Sequence, residues 1–424
     1  MRIAILTIGS RGDVHPYVAL GVALRRRGHS VRIVTGRGFG DVVEAAGLDY
    51  GEIGFDFQQL ISDPDLKAAL RSLPALVRAF RDAGEMVDVS LRDSWAACRD
   101  AEAVIYHPKA IAAPHIAEKL RCAAILAPVV PFGVTTDAFE SPLLPLRSFG
   151  PVTNRMNHRV VDFASTKGFA SRIARFRSDT LGLDPTPSRP TNVLMVKGRP
   201  APKVFGFSRY LVPMPADAHG HVTTGYWFND SHEHEALDAD LATFLEAGDP
   251  PIYFGFGSMA GDRPENTAGA VVQALERIGR RGVLSRGWGG LDPREVPGHI
   301  HVVDETPHDL LLPRCAAVVH HGGSGTTHRG LRHGRPTLIR PVFGDQPFWG
   351  RRVAAAVAGP PPIREKNFHG ARLDAALMAL LDERFADGAS AISEAMLYEP
   401  GADGAAEAVQ CVFNGDSKLR IARF

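Results

Sequence analysis

A glycine- and hydroxyl-rich segment, residues 320–327, could bind a diphosphate. It reads His-His-Gly-Gly-Ser-Gly-Thr-Thr and follows the apolar run 316–319, which predicts a short buried strand. The residues after the glycines predict a helix from Ser324 to His333. The first turn of a helix has unpaired N–H groups at the positive end of its dipole, and glycines let an anion approach them. The segment therefore predicts an anion site, although it lacks the Gly-Lys-Ser/Thr ending of a P-loop.

A second candidate for chemistry is the carboxylate of Asp13, in the segment 9–16, Gly-Ser-Arg-Gly-Asp-Val-His-Pro. It follows an apolar run that predicts a buried strand. A carboxylate there could act as a general base if burial raised its pKa, because an ordinary carboxylate is a weak base. The alternative is that Asp13 caps the helix that we predict from about His15. His15 could orient Asp13 or an acceptor, and His107, after a later strand, could face the same site.

Asp345 and Gln346 place a carboxylate beside an amide, two groups that can bind hydroxyls. They lie in the segment 341–347, Pro-Val-Phe-Gly-Asp-Gln-Pro. A carboxylate and an amide on one loop can hold two adjacent hydroxyls of a ligand. Gly344 and Pro347 leave the alternative that the segment is only a turn.

Strand and helix patterns alternate in both halves of the chain. In the first half we predict strands at 2–7, 30–35, 48–53, 103–106 and 123–127, helices over 60–100, a loop over 129–152 and a last strand at 193–196. After a segment rich in proline, glycine and histidine, 198–235, the pattern restarts with strands at 251–256, 282–285, 299–303, 316–319 and 337–340. We therefore predict an α/β protein with two doubly wound parallel-sheet domains, 1–217 and 218–400, and a tail, 401–424.

Composition excludes some classes of protein. The chain has 424 residues and a net charge of +1, so it can form two full cores and has no global attraction to nucleic acid or anionic membrane. Its four cysteines lie far apart, which favours a reduced, cytoplasmic location. We find no apolar run of about 18 residues and no signal peptide, so we expect no membrane span; peripheral membrane contact stays open.

Metal binding is a weaker alternative. The histidines at 320, 321, 328 and 333 do not have a common zinc spacing. Two Asp-x-Asp triplets, at 63–65 and 238–240, read as residues of helix starts or turns and not as metal ligands. We therefore expect no metal and no cofactor.

Taken together, these motifs resemble the donor-site signature of family-1 glycosyltransferases. The segments that carry the resemblance are 307–310 (Pro-His-Asp-Leu), 320–327, 334–338 (Gly-Arg-Pro-Thr-Leu) and 341–347. Segment 9–16 is similar to the branch that contains sterol glucosyltransferases and glycopeptide-antibiotic glycosyltransferases. The resemblance covers most of the chain and is weakest over 55–100 and 130–250. It implies the GT-B fold, with the acceptor mainly on the first domain, the nucleotide sugar mainly on the second, and a last helix, 402–413, that crosses back to the first.

The same resemblance implies a reaction and its residues. The reaction would be inverting transfer of a hexose from a UDP- or TDP-sugar to a hydroxyl of a lipophilic small molecule, such as a sterol or a polyketide-like natural product. Asp13 would be the general base, with His15 beside it. The donor-binding residues that it implies are Ser10, Arg11, Ser258, Trp288, His308, His320, Gly323, Ser324, Gly325, Thr326, Asp345 and Gln346. Glu305 and His328 depart from the plant branch, which has Trp and a ribose-binding Glu there, so the choice between UDP and TDP stays open.

Two other functions are compatible with the same two-domain organisation. A nucleotide-sugar 2-epimerase would need no acceptor and would be expected to lack the Gly-Ser-Arg-Gly-Asp segment. A catalytically silent helper that binds nucleotide sugar would not need Asp13, His320 and Asp345 together. The presence of all three favours the transferase.

Overall fold

The computed structural model describes residues 1–55, 84–144, 149–218, 220–230, 236–257, 264–287, 291, 293, 295–304 and 306–415. They form two compact units. The first comprises Met1–Arg209, Met214–Asn229 and the segment that begins at Pro400; the second comprises Tyr210–Pro213 and Asp230–Glu399. The division falls after Asn229 and not at position 217, because a short strand, His221–Thr223, pairs within the sheet of the first unit.

The first unit contains a parallel sheet. Its strands are β1 (Arg2–Leu6), β2 (Ser30–Gly36), β3 (Asp49–Ile53), β4 (Ala103–Tyr106), β5 (Ala123–Leu126), β8 (Lys203–Phe205) and β9 (His221–Thr223). Their order is β3-β2-β1-β4-β5-β8-β9 within the described residues. The prediction of a last strand at 193–196 was wrong, because β6 (Met195–Val196) and β7 (Arg199–Pro200) form a separate antiparallel pair. The sheet continues instead in β8 and β9, at an edge that tolerates nearby prolines.

Helices cover both faces of this sheet. They are α1 (Arg11–Arg26), α2 (Gly40–Ala45), α3 (Gly84–Cys98), α4 (Ala113–Leu120), α5 (Pro151–Lys167), α6 (Ala170–Arg175) and α14 (Gly401–Phe413). Successive residues of a strand point to opposite faces. On β1, Ile3 and Ile5 accordingly enter the core with α1 and α14, and Ala4 and Leu6 enter the core with α3 and α4. The predicted helices over 60–83 lie outside the described residues.

The second unit repeats the plan. Its strands are β10 (Ile252–Gly255), β11 (Gly282–Ser285), β12 (Ile300–Val303), β13 (Ala317–His320) and β14 (Thr337–Ile339). Its helices are α7 (Ala239–Glu246), α8 (Pro264–Arg277), α9 (His308–Leu311), α10 (Ser324–Arg332), α11 (Gln346–Ala355), α12 (Gly370–Leu380) and α13 (Glu383–Met396). The strands are all parallel and, in the described part of the chain, their order is β12-β11-β10-β13-β14. The predicted α/β fold with two doubly wound parallel sheets is confirmed.

The two sheets share one topological feature. In each, the strand order reverses between the first and the fourth strand, which are β1 and β4 in one unit and β10 and β13 in the other. In open parallel sheets, ligands bind beyond the carboxyl ends of the strands at this reversal. The loops after these four strands are therefore where each unit's site is expected.

None of the helices among the described residues is both long enough and apolar enough to cross a bilayer.

Candidate active site

Asp13 lies in the first turn of α1, at the strand-order reversal of the first sheet. The helix begins at Arg11, which is earlier than we predicted from the sequence, and Ser10 is the residue before its first turn. The Oδ2 atom of Asp13 accepts a hydrogen bond from the Ser10 backbone N–H at 2.8 Å and from the Ser10 hydroxyl at 3.3 Å. Asp13 thus occupies the acidic position of a capping box, and Ser10, not Asp13, is the N-cap.

Gly9 makes room for this carboxylate. Its φ is +147°, and a Cβ added there would lie 2.0 Å from Oδ2 of Asp13. A side chain at this position would therefore strain the backbone and displace the carboxylate. The glycine that follows the first strand is required by the geometry of Asp13 itself.

The other oxygen of Asp13 faces two residues that follow β4. The Lys109 ammonium donates to Oδ1 at 2.9 Å, and Nε2 of His107 lies 3.3 Å from the same atom. Nδ1 of His107 accepts the backbone N–H of Lys109 at 3.0 Å, so the proton of the neutral ring is on Nε2 and points at Asp13. The ends of two neighbouring strands, β1 and β4, thus assemble one cluster of charged and polar groups.

These contacts determine the protonation of Asp13. Burial favours the neutral acid, but the Lys109 ammonium and the His107 N–H stabilise the carboxylate and hold the pKa of Asp13 well below its ordinary value. The expected increase in this pKa is therefore absent in this structure. Burial also lowers the pKa of His107, against the opposing effect of Asp13, which keeps the imidazole a neutral donor.

His15 and Arg11 share α1 with Asp13. Because helical residues are about 100° apart, His15 is about 200° around the axis from Asp13, and its side chain diverges from the carboxylate. The imidazole that contacts Asp13 belongs to His107. A role for His15 toward Asp13 or an acceptor stays a prediction. Arg11 is exposed at the start of the helix.

In the second unit, the predicted anion site is the turn between β13 and α10. Gly323 is the N-cap of α10 and has no capping side chain, and the first turn of this helix contains no acidic residue. Its last turn carries Arg329 and Arg332. Ser324, Gly325 and Thr326 form the first turn, where N–H groups point out of the helix. This arrangement presents an uncompensated positive dipole end to a ligand.

His320 ends β13 and is fully buried. Its Nδ1 accepts the Gly322 backbone N–H at 3.0 Å, so the ring proton is on Nε2. Burial lowers the pKa of His320 well below its ordinary value, with smaller effects from His321 and His308. Within the described part of the chain, Nε2 has no hydrogen-bond partner. A buried donor of this kind is costly unless an acceptor is supplied, which fits a ligand oxygen.

The loop with Asp345 and Gln346 lies against the same turn. A Cβ added at Gly322, whose φ is +96°, would be 3.1 Å from the carbonyl oxygen of Gln346. The Gln346 Oε1 accepts the backbone N–H groups of Val342 and Phe343 at 2.7 and 3.2 Å, so this side chain braces its own loop. Oδ2 of Asp345 accepts the Trp349 indole N–H at 2.7 Å.

Of the three other residues expected to bind the donor, the structure describes one, His308. His308 begins α9, and its Nε2 lies 3.0 Å from the hydroxyl of the buried Tyr253 on β10. Ser258 and Trp288 lie outside the described residues. The glycines that precede them are adjacent, since a Cβ on Gly287 would lie 3.5 Å from Cα of Gly257.

Residues that were considered as possible metal ligands contact protein groups in the structure. His328 is buried, its Nδ1 lies 2.7 Å from the Ser324 carbonyl, and its ring packs edge-on against Trp349. His333 pairs with Asp309 at 2.9 Å. Asp238 caps α7 by accepting backbone N–H groups, as a helix-start residue would, whereas the triplet at 63–65 lies outside the described residues. No cluster of three metal-ligating side chains occurs among the residues that the structure describes.

Lys109 was not predicted from the sequence as a residue near Asp13. Its signal was its position, two residues after His107 in the loop that follows β4. Only the pairing of β4 with β1, Leu6 against Tyr106, places this loop beside Asp13.

Both halves of the chain match known families. Residues 3–136 match the glycosyltransferase family 28 N-terminal domain, and residues 289–412 match the family described as erythromycin biosynthesis protein CIII-like, C-terminal domain. Two sterol 3-beta-glucosyltransferases of Arabidopsis thaliana are 35% and 31% identical to the chain, and each comparison covers 96% of it. The chain spans 65% and 67% of the lengths of these two relatives.

Solved structures share the fold at lower identity. The glycotransferase of kitacinnamycin superimposes with a TM-score of 0.70 and 19% identity, over 96% of this chain and 98% of that one. The spinosyn rhamnosyltransferase SpnG, complexed with thymidine diphosphate, gives a TM-score of 0.63 and 19% identity, over 97% and 100%. The predicted GT-B fold is thereby confirmed. On these motifs, sheets and relatives, the chain belongs to the family-1 glycosyltransferases of the GT-B fold.

Proposed function

We propose that the chain transfers a hexose from a UDP- or TDP-sugar to a hydroxyl of a lipophilic small molecule, with inversion at the anomeric carbon. The observation that carries this proposal is the position of the two polar centres. Asp13, with His107 and Lys109, lies at the strand-order reversal of one sheet, and the turn of His320 to Thr326 lies at that of the other. One centre suits a proton acceptor and the other an anion.

In this proposal Asp13 is the general base. The acceptor oxygen attacks the anomeric carbon as its proton passes to the carboxylate, and the bond from that carbon to the diphosphate oxygen breaks. The carboxylate is fixed by Ser10 and His107, whereas the Lys109 side chain is about half exposed and can move aside. If the acceptor hydroxyl takes the place of the ammonium at Oδ1, Asp13 loses the lowering effect of Lys109 and keeps the raising effect of burial. The base would then gain strength when the acceptor binds.

The departing diphosphate would be stabilised by the second unit. The open N-terminus of α10 and the buried Nε2–H of His320 would donate to its oxygens as negative charge develops there. Asp345 and Gln346 would hold the sugar, since their loop lies against the same turn. Because these donors are groups of the protein, we propose that transfer needs no metal and that rates are unchanged by a chelator.

The acceptor and donor classes rest on the relatives. The similarity to sterol 3-beta-glucosyltransferases supports a lipophilic alcohol as the acceptor and a glucose donor. The structure of SpnG with thymidine diphosphate keeps TDP as the alternative nucleotide. The test is mass spectrometry of the purified chain incubated with UDP-glucose or TDP-glucose and a panel of sterols, polyphenols and macrolides.

We expect a product heavier than its acceptor by one hexose. Conversion of the donor to its 2-epimer without an acceptor would contradict the proposal in favour of the epimerase. Donor binding without any consumption, across the whole panel, would contradict it in favour of the silent helper.

A further inference from the structure

Helix α5 exposes an apolar stripe. Phe149, just before the helix, is 81% exposed, and Val152, Met156, Val160 and Phe163 are 81%, 60%, 50% and 66% exposed. The spacing of three and four residues places the four helical side chains on one side of α5. Isolated exposed apolar residues are ordinary, but a continuous stripe marks an interaction surface.

The opposite side of α5 is polar and buried, which inverts the usual pattern of a surface helix. Asn154, Asn157 and His158 are buried and make hydrogen bonds with the main chain of the loop 137–144. Val161 is the buried apolar residue of the helix. The helix is therefore anchored by hydrogen bonds and presents its apolar side outward without any rearrangement.

Two positively charged side chains lie beside the apolar stripe of α5. Arg159 and Lys167 are exposed beside it, and neither has an ion-pair partner in the part of the chain that the structure describes. The segment 149–175 contains five Lys or Arg residues and one acidic residue, Asp162. Two of the five, Arg155 and Arg172, pair with carboxylates outside the segment, which leaves Arg159 and Lys167 as the unpaired cations of α5 within the described residues. Cationic side chains along an exposed apolar helix face complement an anionic lipid surface.

We propose that α5 docks flat on an anionic lipid bilayer, with its apolar stripe at the boundary between headgroups and acyl chains and with Arg159 and Lys167 against the headgroups. A second copy of the chain suits this surface less well. In a two-fold interface centred on the stripe, the unpaired cations of one copy would face those of the other. A bilayer supplies the opposite charge, and it would hold the chain where lipophilic alcohols reside.

The test is flotation of the full chain with vesicles of phosphatidylcholine alone or mixed with phosphatidylserine. Neither contains a sterol, so the result does not depend on the proposed acceptor. We expect binding to the mixed vesicles that weakens as salt is raised. The double variant Phe149→Ser/Phe163→Ser should bind about tenfold less or weaker still, and Arg159→Gln/Lys167→Gln should lose most of the preference for phosphatidylserine.

A matched control is Leu397→Ser/Tyr398→Ser, which removes two residues of the second unit that are each 79% exposed. It should bind vesicles like the wild type, and all variants should unfold at the wild-type temperature. The proposal would be overturned if the wild type failed to float with mixed vesicles, or if the control lost binding as the stripe variant does. It would also be overturned if the stripe variant kept full vesicle binding; conversion of a sedimenting dimer to a monomer in that variant would then identify a second copy of the chain as the occupant.

Discussion

The Lys109 ammonium lies 2.9 Å from Oδ1 of Asp13, the carboxylate that we propose as the general base. This contact joins the loop after β4 to the first turn of α1 at the strand-order reversal of the sheet. It holds the base in its charged form and at the same time makes it weak. Variants of Lys109 and of its neighbours can distinguish these two effects from simple structural roles.

Replacing Lys109 by Met should strengthen the base. Without the ammonium, the pKa of Asp13 rises, so the acid limb of the pH profile for kcat/KM, where the base becomes protonated, should move to higher pH. The measurement is the rate of transfer against pH. Lys119→Met, which alters a lysine in the last turn of α4, is the control and should leave the limb unchanged. An unmoved limb in Lys109→Met would argue that Lys109 does not act on the base.

Gly9→Ala should damage both stability and activity. The new Cβ would require an unfavourable φ and would meet Oδ2 of Asp13 at 2.0 Å, so we expect a loss of about 1–3 kcal/mol in the free energy of unfolding and a large fall in kcat. Urea unfolding and initial rates would measure the two. Gly28→Ala is a matched control, because Gly28 has a φ of +85° and nothing within 4 Å of its added Cβ. Gly28→Ala should lower the free energy of unfolding but leave the rate of transfer unchanged. Equal losses of activity in Gly9→Ala and Gly28→Ala would contradict the proposed link between Gly9 and Asp13.

His320→Phe should slow transfer by about a hundredfold, because it removes the buried N–H donor that we place on the diphosphate. The nucleotide product should also bind more weakly in calorimetry. His369→Ala, an exposed histidine near the start of α12, is the comparison and should behave as the wild type. If His320→Phe bound and turned over donor normally, the proposed contact with the diphosphate would not exist.

Asp345→Ala should weaken binding of the nucleotide sugar by about tenfold and spare free UDP or TDP, since the lost contact is with the sugar. Trp349→Phe tests the alternative that Asp345 only braces α11. It removes the indole N–H that donates to Asp345 and leaves the carboxylate in place. Calorimetry with both ligands separates the two roles. A matching loss in the two variants, or an equal loss for free nucleotide, would contradict sugar binding by Asp345.

The local sequence pattern was enough to predict many of the strands and helices of the second unit. The sequence predicted β11 at its observed bounds and α10 to within one residue, because a buried apolar strand, a glycine turn and a short helix follow one another without interruption. The same regularity identified the turn after His320. The position of Asp13 shortly after a buried strand was also predicted, although α1 begins earlier because Ser10 and Asp13 cap it.

Other features depend on pairings between distant segments. Lys109 reaches Asp13 only because β4 pairs with β1, and β8 and β9 join the sheet from a proline-rich segment that resembles a linker. Helix α5 was not predicted because its buried side is polar and its exposed side apolar. Helix prediction from the spacing of apolar residues assumes that those residues face the core, so it does not detect such a helix.

We propose above that Asp13 accepts the proton of the acceptor hydroxyl. The most direct test of this proposal is a single-turnover comparison of the wild type with Asp13→Asn, using labelled UDP-glucose or TDP-glucose and an acceptor that the product screen identifies. The amide keeps the shape of the side chain but cannot act as a carboxylate base. We predict that donor binding is retained within about twofold while glycoside formation falls by a factor of about a hundred or more. Glycoside formation at the wild-type rate in Asp13→Asn would contradict the account.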